Sequence, residues 1–371
     1  MSDHLGNKDV FFEIFTRLPP KSLIRFRSLS KSICSSISSP DFIRIHTFRS
    51  PHKFLIRHQT INKENDHRED FCTLHSEDQL PLSPRCVYFG IPAIKFPCRY
   101  SRIAGLCNGI LCLTDDKNRI TLWNPSIRHK LTLPDCPQRY SSRVVTGFGF
   151  DPITNNYKIV SISHPYSYIY SMKTGTWCAI TSTPTPLFTI LFPNPCFING
   201  TLHWAVQHYS TKPDYADLCC IMTFDLSTNV FGMIALPEPK WETAGLTTIQ
   251  GSLAVISTKL DDYWMWVRRD GSWSVVFRLN KKQIWGGKEI VLQPAVIGDM
   301  LLFLVKNRDV YSAFHVYNLK IMARSKLVEF NDACSLVGVE MCVESLQLLD
   351  TGTIYEGNQP SLLEGKEGRN N

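Results

Sequence analysis

The residues Gly200-Thr201-Leu202-His203-Trp204 place a glycine directly before a short apolar strand, and this unit recurs along the chain. Glycine allows the positive φ angle that tight turns need, and short runs of apolar residues bounded by turns predict strands. Comparable units begin at three other glycines, Gly109, Gly251 and Gly298. From 109 to 200, from 200 to 251 and from 251 to 298, the intervals are 91, 51 and 47 residues. The chain therefore repeats a β unit.

The repeat length favours one closed ring of small sheets. The 91-residue interval holds two units, and Gly147-Phe148-Gly149-Phe150-Asp151-Pro152 marks the second of them. A period of about 45–50 residues with several strands per unit is typical of the blades of a kelch-like β-propeller. We recognise five units, and a sixth can form from residues 85–104 together with the segment after Cys334. The predicted fold class is mainly β, and a β-sandwich is the alternative for the body.

Residues 9–46 have helical rather than strand periodicity. Val10, Ile14 and Leu18 lie four residues apart, which places them on one face of a helix. Pro19 and Pro20 end that helix, because the residue before a proline disfavours the α conformation. Further short helices carry apolar side chains at Leu23, Ile24, Phe26, Ile33, Ile37, Phe42 and Ile43. Such a small head cannot bury a stable core alone, so we expect it to pack against the β body or a partner.

The net charge and the lengths of the apolar runs limit the kinds of partner that we expect. The 371 residues include 40 Lys and Arg against 33 Asp and Glu, for a net charge of +7. Most of the excess lies in residues 1–60, which could bind an acidic protein surface or a nucleic acid. The basic region contains no known nucleic-acid-binding motif, so we expect no nucleic-acid partner. No apolar run approaches the length of a membrane span, and we expect no membrane partner.

Cysteine usage and the N-terminal residues predict location. The 13 cysteines form no C-x-x-C pair, and the first residues contain no apolar signal segment. We therefore expect reduced cysteines, no metal, no cofactor, and a location in the cytoplasm, the nucleus or both.

The sequence contains two acidic pairs and one group of tryptophans that could belong to an active or sugar-binding site. The acidic pairs Asp115-Asp116 and Asp261-Asp262 could imitate glycosidase acids, but adjacent residues on a strand face opposite ways, so we interpret both pairs as turns. Trp264, Trp266 and Trp273 could form a platform for stacking a sugar, although packing between blades is the favoured interpretation. We predict that the chain is not an enzyme, and a propeller enzyme or carbohydrate binder stays as an alternative.

The head resembles a known domain. Residues 12–31, beginning Phe12-Glu13-Ile14-Phe15-Thr16-Arg17-Leu18-Pro19-Pro20, are similar to the F-box of the large plant F-box protein family. The body resembles the F-box-associated domain of the same family up to about residue 350. The pieces that carry this second resemblance are Gly105-Leu106-Cys107-Asn108-Gly109, Trp123-Asn124-Pro125-Ser126, Gly147-Phe148-Gly149-Phe150-Asp151-Pro152, Tyr170-Ser171-Met172-Lys173-Thr174-Gly175, Gly200-Thr201-Leu202-His203-Trp204 and Phe224-Asp225-Leu226.

The resemblance implies a domain organisation. It places an F-box over residues 4–50 and an F-box-associated, propeller-like domain for binding a target over residues 85–350. Residues 51–84 are rich in charged and polar groups, which predicts a linker or loop. The polar tail over residues 351–371 is predicted to be disordered.

The resemblance also implies a function. F-box proteins join cullin-based (SCF) ubiquitin ligases through the small adaptor Skp1, called ASK in plants, and present a target protein for ubiquitination. The adaptor interface then consists of apolar residues on the head, which are Val10, Ile14, Leu18, Pro19, Leu23, Phe26 and Ile33. A basic rim of Arg17, Lys21, Arg25 and Arg27 would suit an acidic partner. The residues that bind the target stay unassigned.

Two departures from the family pattern support an alternative. Gly6-Asn7 stands where the family usually has Leu-Pro, and Ile33 stands where it usually has Trp. Both positions commonly contribute to adaptor binding. The alternative is a protein-binding module whose degenerate F-box does not recruit Skp1.

Overall fold

Four short helices precede twenty-five strands in the part of the chain that the computed structural model describes. The architecture is mainly β, with a small helical head at the N-terminal end. The described residues are 10–62, 67–76, 93–97, 102–138, 144–163, 166–181, 188–190, 195–208, 218–237, 242–259, 262–280, 289–297, 300–306, 312–318, 323–329 and 334–349. The predicted tail at residues 351–371 lies outside them, as does Gly6-Asn7.

The head contains the short helices that its periodicity predicts. They are α1 (residues 10–15), α2 (Pro20–Phe26), α3 (Lys31–Ser38) and α4 (Pro40–Arg49). Pro20 begins α2, a position where its missing N–H costs nothing. The hydroxyls of Ser30 and Ser39 accept hydrogen bonds from the backbone N–H groups of Ile33 and Phe42, at 3.1 and 3.3 Å, and so cap α3 and α4.

Five sheets consist of strands that follow one another in the chain. Sheet 2 contains β4 (Arg102–Cys107), β5 (Ile110–Thr114), β6 (Ile120–Asn124) and β7 (His129–Thr132). Sheet 3 contains β8 (Val145–Asp151), β9 (Asn156–Ser163), β10 (Tyr166–Ser171) and β11 (Thr176–Ala179). Sheet 4 contains β12 (Phe188–Ile190), β13 (Cys196–Ile198), β14 (Thr201–His208), β15 (Leu218–Asp225) and β16 (Val230–Ala235). Sheet 5 contains β17 (Glu242–Ile249), β18 (Ser252–Lys259), β19 (Asp262–Arg269) and β20 (Ser272–Asn280). Sheet 6 contains β21 (Glu289–Ile297), β22 (Met300–Lys306), β23 (Ser312–Asn318) and β24 (Ala323–Glu329).

Sheet 1 joins strands from both ends of the chain. Its order is β25 (Cys334–Cys342), β1 (Lys53–Asn62), β2 (His67–Ser76) and β3 (Ile94–Lys95). The strand β25 pairs antiparallel with β1, so the last strand completes a sheet that the first strands begin.

The six sheets form the ring of a β-propeller. Contacts join β25 to β4, β4 to β8, β8 to β14, β14 to β17, β17 to β21 and β21 back to β25. Each of these six sheets contacts two neighbours, which confirms the predicted propeller rather than the sandwich. The sixth unit forms from the predicted ends, with the addition of β1 and β2.

The predicted linker at residues 51–84 is wrong over β1 and β2. These strands pair along their length, from Lys53 opposite Ser76 to Asn62 opposite His67. One pair of their charges is buried inside the sheet instead of being solvated, because Arg57 donates to the buried Asp70 at 3.1 Å. The Arg57 guanidinium also lies 4.9 Å from the centre of the Phe96 ring. A charged sequence therefore forms part of a blade.

The recurring glycines have a clear role in the turns. Asn108-Gly109 has φ angles of 49° and 77°, and Asn199-Gly200 has 46° and 81°. Two consecutive positive φ angles define the two-residue hairpin turn that asparagine followed by glycine favours. The turns therefore explain why a glycine precedes the second main strand of a blade.

A second kind of turn joins neighbouring sheets through Asp151. Its carboxylate accepts hydrogen bonds from the backbone N–H of Ile153 at 3.0 Å and from the hydroxyl of Ser227, in the next sheet, at 2.7 Å. Thr154 donates to the same carboxylate, and the Lys158 ammonium lies 3.0 Å from it. Burial alone would raise the pKa of Asp151, but these hydrogen bonds from Thr154, Ser227 and Lys158 outweigh it and lower the pKa.

Residues 343–349, which we call the strap, continue from β25 across the edge of sheet 2. The buried Asn124 side chain donates to the carbonyl oxygens of Ser345 and Gln347, both at 3.0 Å. The Ser345 backbone N–H donates to the Ser126 hydroxyl at 3.2 Å. A Cβ atom at Gly109 would lie 2.4 Å from the Val343 carbonyl oxygen, so the strap can pass only because that residue is glycine.

The strap also completes the core of the head. Leu346 is buried together with Leu23, Ile37 and Phe42 from α2, α3 and α4. Ile127, in the turn between β6 and β7, packs against the same cluster. Of the two expected ways to complete the head core, the β body or a partner, the structure shows the β body, through Leu346 and Ile127.

We predict that Leu346→Ala loosens the head without unfolding the propeller. Removing a buried leucine side chain costs about 2–5 kcal/mol. All eight tryptophans lie after residue 120, so circular dichroism at 222 nm reports on the helices and tryptophan fluorescence reports on the propeller. In a urea titration the helical signal should be lost before the fluorescence changes. Leu348→Ala, a half-buried neighbour in the strap, is the control and should cost less; equal costs for both variants would contradict the role given to Leu346.

We predict that Asp151→Asn destabilises the propeller in a pH-dependent way. Leaving Lys158 buried without its partner costs about 3–5 kcal/mol at neutral pH. Because folding lowers the pKa of Asp151, its stabilisation is complete above the ordinary aspartate value of about 4 and is lost as the pH falls below it. The difference in unfolding free energy between wild type and variant should therefore shrink in acid. The corresponding Asp225→Asn change, at a turn that the described residues show without an ion pair, should cost less; a gap that stays constant with pH would count against this account.

Candidate functional site

The residues predicted for adaptor binding fall into two groups by exposure. Val10 and Ile14, one turn apart on α1, are 56% and 53% exposed, and Pro19 is also exposed. Leu18, Phe26 and Ile33 are partly buried and pack against the head core. The free head therefore presents an apolar stripe on α1.

Leu23 is placed differently from its prediction. Its side chain is 0% exposed and packs among Ile37, Phe42 and Leu346. A side chain in that position supports the head from inside. The sequence of α2 shows that Leu23 is apolar. It does not show that Leu346 of the strap packs in the same cluster and helps to bury this side of α2.

Two exposed apolar residues of the head lie outside the predicted set. Phe48 on α4 is 90% exposed, and Leu29, between α2 and α3, is 66% exposed. Phe42 and His46 form the buried stripe of α4, and Phe48 lies six residues after Phe42, which turns it away from that stripe. This spacing was the available signal for Phe48. Nothing in the spacing of Leu29 distinguishes it from a core residue.

Glu13 ties α1 to the end of α4. Its carboxylate accepts from the Arg49 guanidinium at 2.8 Å and forms a second ion pair with Arg17. Arg49 also donates to the Thr16 hydroxyl at 2.8 Å. The hydrogen bond from Arg49 is the main cause that lowers the pKa of Glu13. The exposed stripe of α1 is thereby fixed next to the helix that carries Phe48.

The predicted basic rim is only partly free to meet a partner. Arg17 is engaged by Glu13, and the Arg27 guanidinium hydrogen-bonds the Cys34 thiol, which lowers the pKa of that thiol. Lys21 and Arg25 are exposed, and within the described residues neither forms an ion pair. These two cations are the ones available to an acidic surface.

The tryptophans of sheet 5 have different environments. The indole N–H of Trp273 donates to the carbonyl of Ala235 in sheet 4 at 2.9 Å, which confirms packing between blades at this residue. Trp177 makes the same kind of contact between sheets 3 and 2, where its indole N–H donates to the carbonyl of Pro134 at 2.9 Å. Trp264 and Trp266 stack with centroids 6.3 Å apart, and the Arg278 guanidinium covers Trp264. No open sugar platform results from these three tryptophans.

Asp115 and Asp262, the first and second members of the two acidic pairs, each engage an arginine. Asp115 accepts from the backbone N–H of Arg119 at 2.8 Å and pairs with its guanidinium, so it shapes a turn as predicted. Asp262 is buried and bonded to Arg278 and Asn280, which differs from the predicted solvated turn. Asp261 lies outside the described residues.

The described residues contain neither a metal-binding cluster nor a membrane-spanning helix. No group of three His, Cys, Asp or Glu side chains could hold a metal ion within that part of the chain. No helix found there has the length and apolar character needed to cross a membrane.

Comparison with known proteins matches both parts of this architecture. Residues 7–45 match the F-box domain, and residues 61–321 match the F-box associated beta propeller domain. The second match begins within β1, in agreement with the corrected boundary of the β body.

Relatives in Arabidopsis thaliana align with this chain along most of their length. The chain is 26% identical to the F-box/kelch-repeat protein At3g23880 over 340 residues, which covers 85% of this chain and 89% of the relative. It is also 26% identical to F-box protein CPR1 over 322 residues, covering 74% of this chain and 72% of that protein. The propeller match alone spans well over half of the chain. The chain belongs to the F-box proteins that carry an F-box-associated β-propeller domain.

Proposed function

We propose that this protein is the substrate receptor of an SCF-type ubiquitin ligase. The F-box would bind Skp1 (ASK in plants), which connects it to a cullin, and the propeller would hold a target protein for ubiquitination. The observation that carries the proposal is the exposed apolar face of an F-box whose own core is already complete. F-box domains generally bind Skp1 within such complexes, and this face is where an adaptor would be accommodated.

The head face has the properties of a protein-binding surface. Val10, Ile14, Leu29 and Phe48 leave large apolar side chains in water, although Leu346 has filled the interior of the head. Burying such a side chain against a partner contributes about 1.5–3 kcal/mol. Lys21 and Arg25 add positive charge that favours an acidic adaptor surface and accelerates its association.

Holding the target close to the ligase is sufficient for the proposed role. The strap and Ile127 pack the head against the edge of sheet 2, so the two domains share one core. A target on the propeller would then stay at a fixed distance from a ligase assembled on the head, at high effective concentration. No residue of this chain is required to perform chemistry, and the proposed complex would operate in the cytoplasm, the nucleus or both.

One observation favours the alternative of a module that does not recruit Skp1. Ile33, where the family usually has tryptophan, is partly buried in the head core. A smaller side chain there offers less surface to an adaptor. Under this alternative, the propeller would bind its protein partner without connection to a ligase.

We predict that Ile14→Asp and Phe48→Asp each weaken Skp1 binding at least tenfold. Each change removes apolar contact worth more than 1.4 kcal/mol and introduces a charge into the interface. Binding is measured by titrating purified adaptor onto the immobilised full-length chain. Val275→Asp, at a 44% exposed position in β20 of sheet 5, makes the same kind of change on a sheet that does not adjoin sheet 2 and should leave binding unaltered. If both head variants bind Skp1 as tightly as the wild type does, the proposed interface is wrong.

Leu23→Asp provides a contrasting case. A carboxylate at this fully buried position should unfold the head and abolish adaptor binding together with the helical signal at 222 nm. Ile14→Asp and Phe48→Asp should instead lose binding while keeping that signal. A folded Leu23→Asp head that binds Skp1 normally would contradict the assigned core.

A further inference from the structure

A polar cavity of about 420 Å³ lies between sheets 4 and 5, at the end where their hairpin turns meet. Its apolar floor includes Ile198 and Leu253. The polar residues around it are Asn199, His203, Ser252, Arg268, Arg269 and Asp270.

Arg268 is the main feature of this cavity. It is half-buried, and its Nε atom is buried without a hydrogen-bond partner. Within the described residues its guanidinium also forms no ion pair. A buried N–H group without a hydrogen-bond partner is costly, and an anion that enters the cavity would supply the missing bond.

The charge around Arg268 is positive overall. Arg269 is exposed at the rim and donates to the Gln250 side chain at 3.2 Å. Asp270 is the one acidic side chain of the cavity lining, against two arginines. Bidentate guanidinium groups are well suited to carboxylates and phosphates.

His203 contributes polarity without adding charge. The buried imidazole lies with Nδ1 3.2 Å from the Cys196 carbonyl oxygen. Burial lowers the pKa of His203, and the nearby positive charge of Arg268 lowers it as well. The ring is therefore neutral near pH 7, and the positive charge of the cavity comes from the arginines.

The entrance to the cavity is open. A Cβ atom at Gly251 or at Gly271 would meet no heavy atom within 4 Å, so both turns leave space beside the arginines. Both glycines have positive φ angles, 74° and 80°, which fix the bare turns around the entrance.

The cavity and the strap are connected by a row of turns on one face of the ring. The Asn108 side chain, beside the strap, donates to the Tyr157 hydroxyl of sheet 3 at 3.2 Å. Pro152, in the turn between β8 and β9, approaches Gly200 of sheet 4. The turn at Asn199-Gly200 then borders the cavity itself. A ligand in the cavity would lie on the face of the propeller that carries the head.

We propose that this cavity binds an anionic group, a carboxylate or a phosphate, in an acidic segment of a target protein. Arg268 makes the central contact, and Arg269 attracts the segment from the rim. The proposal rests on the proposed function in one respect, which is that the propeller binds a protein.

The test uses the full-length chain and short fluorescent peptides of three kinds. One contains glutamates, one contains phosphoserines at the same positions, and one contains glutamine and serine there. Fluorescence anisotropy should show binding of at least one anionic peptide, weakened by salt, and much weaker binding of the neutral peptide. The glutamate and phosphoserine arms determine which anion the cavity prefers.

Variants locate the binding. Arg268→Gln should weaken binding of the anionic peptide about tenfold, the effect expected on losing a charged hydrogen bond. Ser252→Glu, which places a carboxylate in the cavity, should also weaken it. Arg44→Gln makes the same charge change on the exposed surface of α4 and should have no effect. Circular dichroism confirms that each variant is folded.

Several results would overturn the proposal. They are equal binding of the neutral peptide, no binding of either anionic peptide, or equal losses in Arg268→Gln and Arg44→Gln. Skp1 binding by Arg268→Gln should equal that of the wild type. A wild-type chain that binds Skp1 but neither anionic peptide removes this inference alone, whereas a wild-type chain that binds an anionic peptide but not Skp1 removes the ligase role alone.

Discussion

The two hydrogen bonds from the Asn124 side chain to the carbonyls of Ser345 and Gln347 hold the strap on sheet 2. They join residues 221 and 223 positions apart in the sequence, so they form only when the ring has closed. Before the strap, β25 completes sheet 1 beside β1. Within the strap, Leu346 completes the core of the head. One C-terminal segment therefore closes the propeller and fixes the F-box on it.

This arrangement has consequences for the proposed ligase role. A head that shares its core with the propeller cannot rotate freely, so the distance from adaptor to target is set by the fold. The face of the ring that carries the strap also carries the cavity around Arg268. The head, the strap and the candidate target site therefore lie on one face of the propeller. The hairpin turns of sheets 2, 3 and 4 form a row between them on this face.

The sequence predicted the features that depend on local rules. The glycines at 109, 200 and 251 indicated hairpin turns, and their spacing predicted the propeller. The features that depend on distant contacts were harder to predict. The charged residues of β1 and β2 made these strands resemble a linker, because the sequence does not show that Arg57 and Asp70 form a buried ion pair. Leu23 was assigned to the adaptor surface because its cover, Leu346, lies more than 300 residues away in the chain.

Hydrogen exchange measured by mass spectrometry tests the role of the strap most directly. The full chain is compared with a variant in which residues 343–349 are replaced by a glycine–serine sequence of equal length. The account predicts faster exchange throughout α2, α3 and α4 in the variant, because the head loses the residue that completes its core. Sheets 4 and 5, whose described residues show no hydrogen bond to the strap, should exchange as before. Unchanged protection of the three helices would contradict the claim that the strap holds the F-box on the propeller.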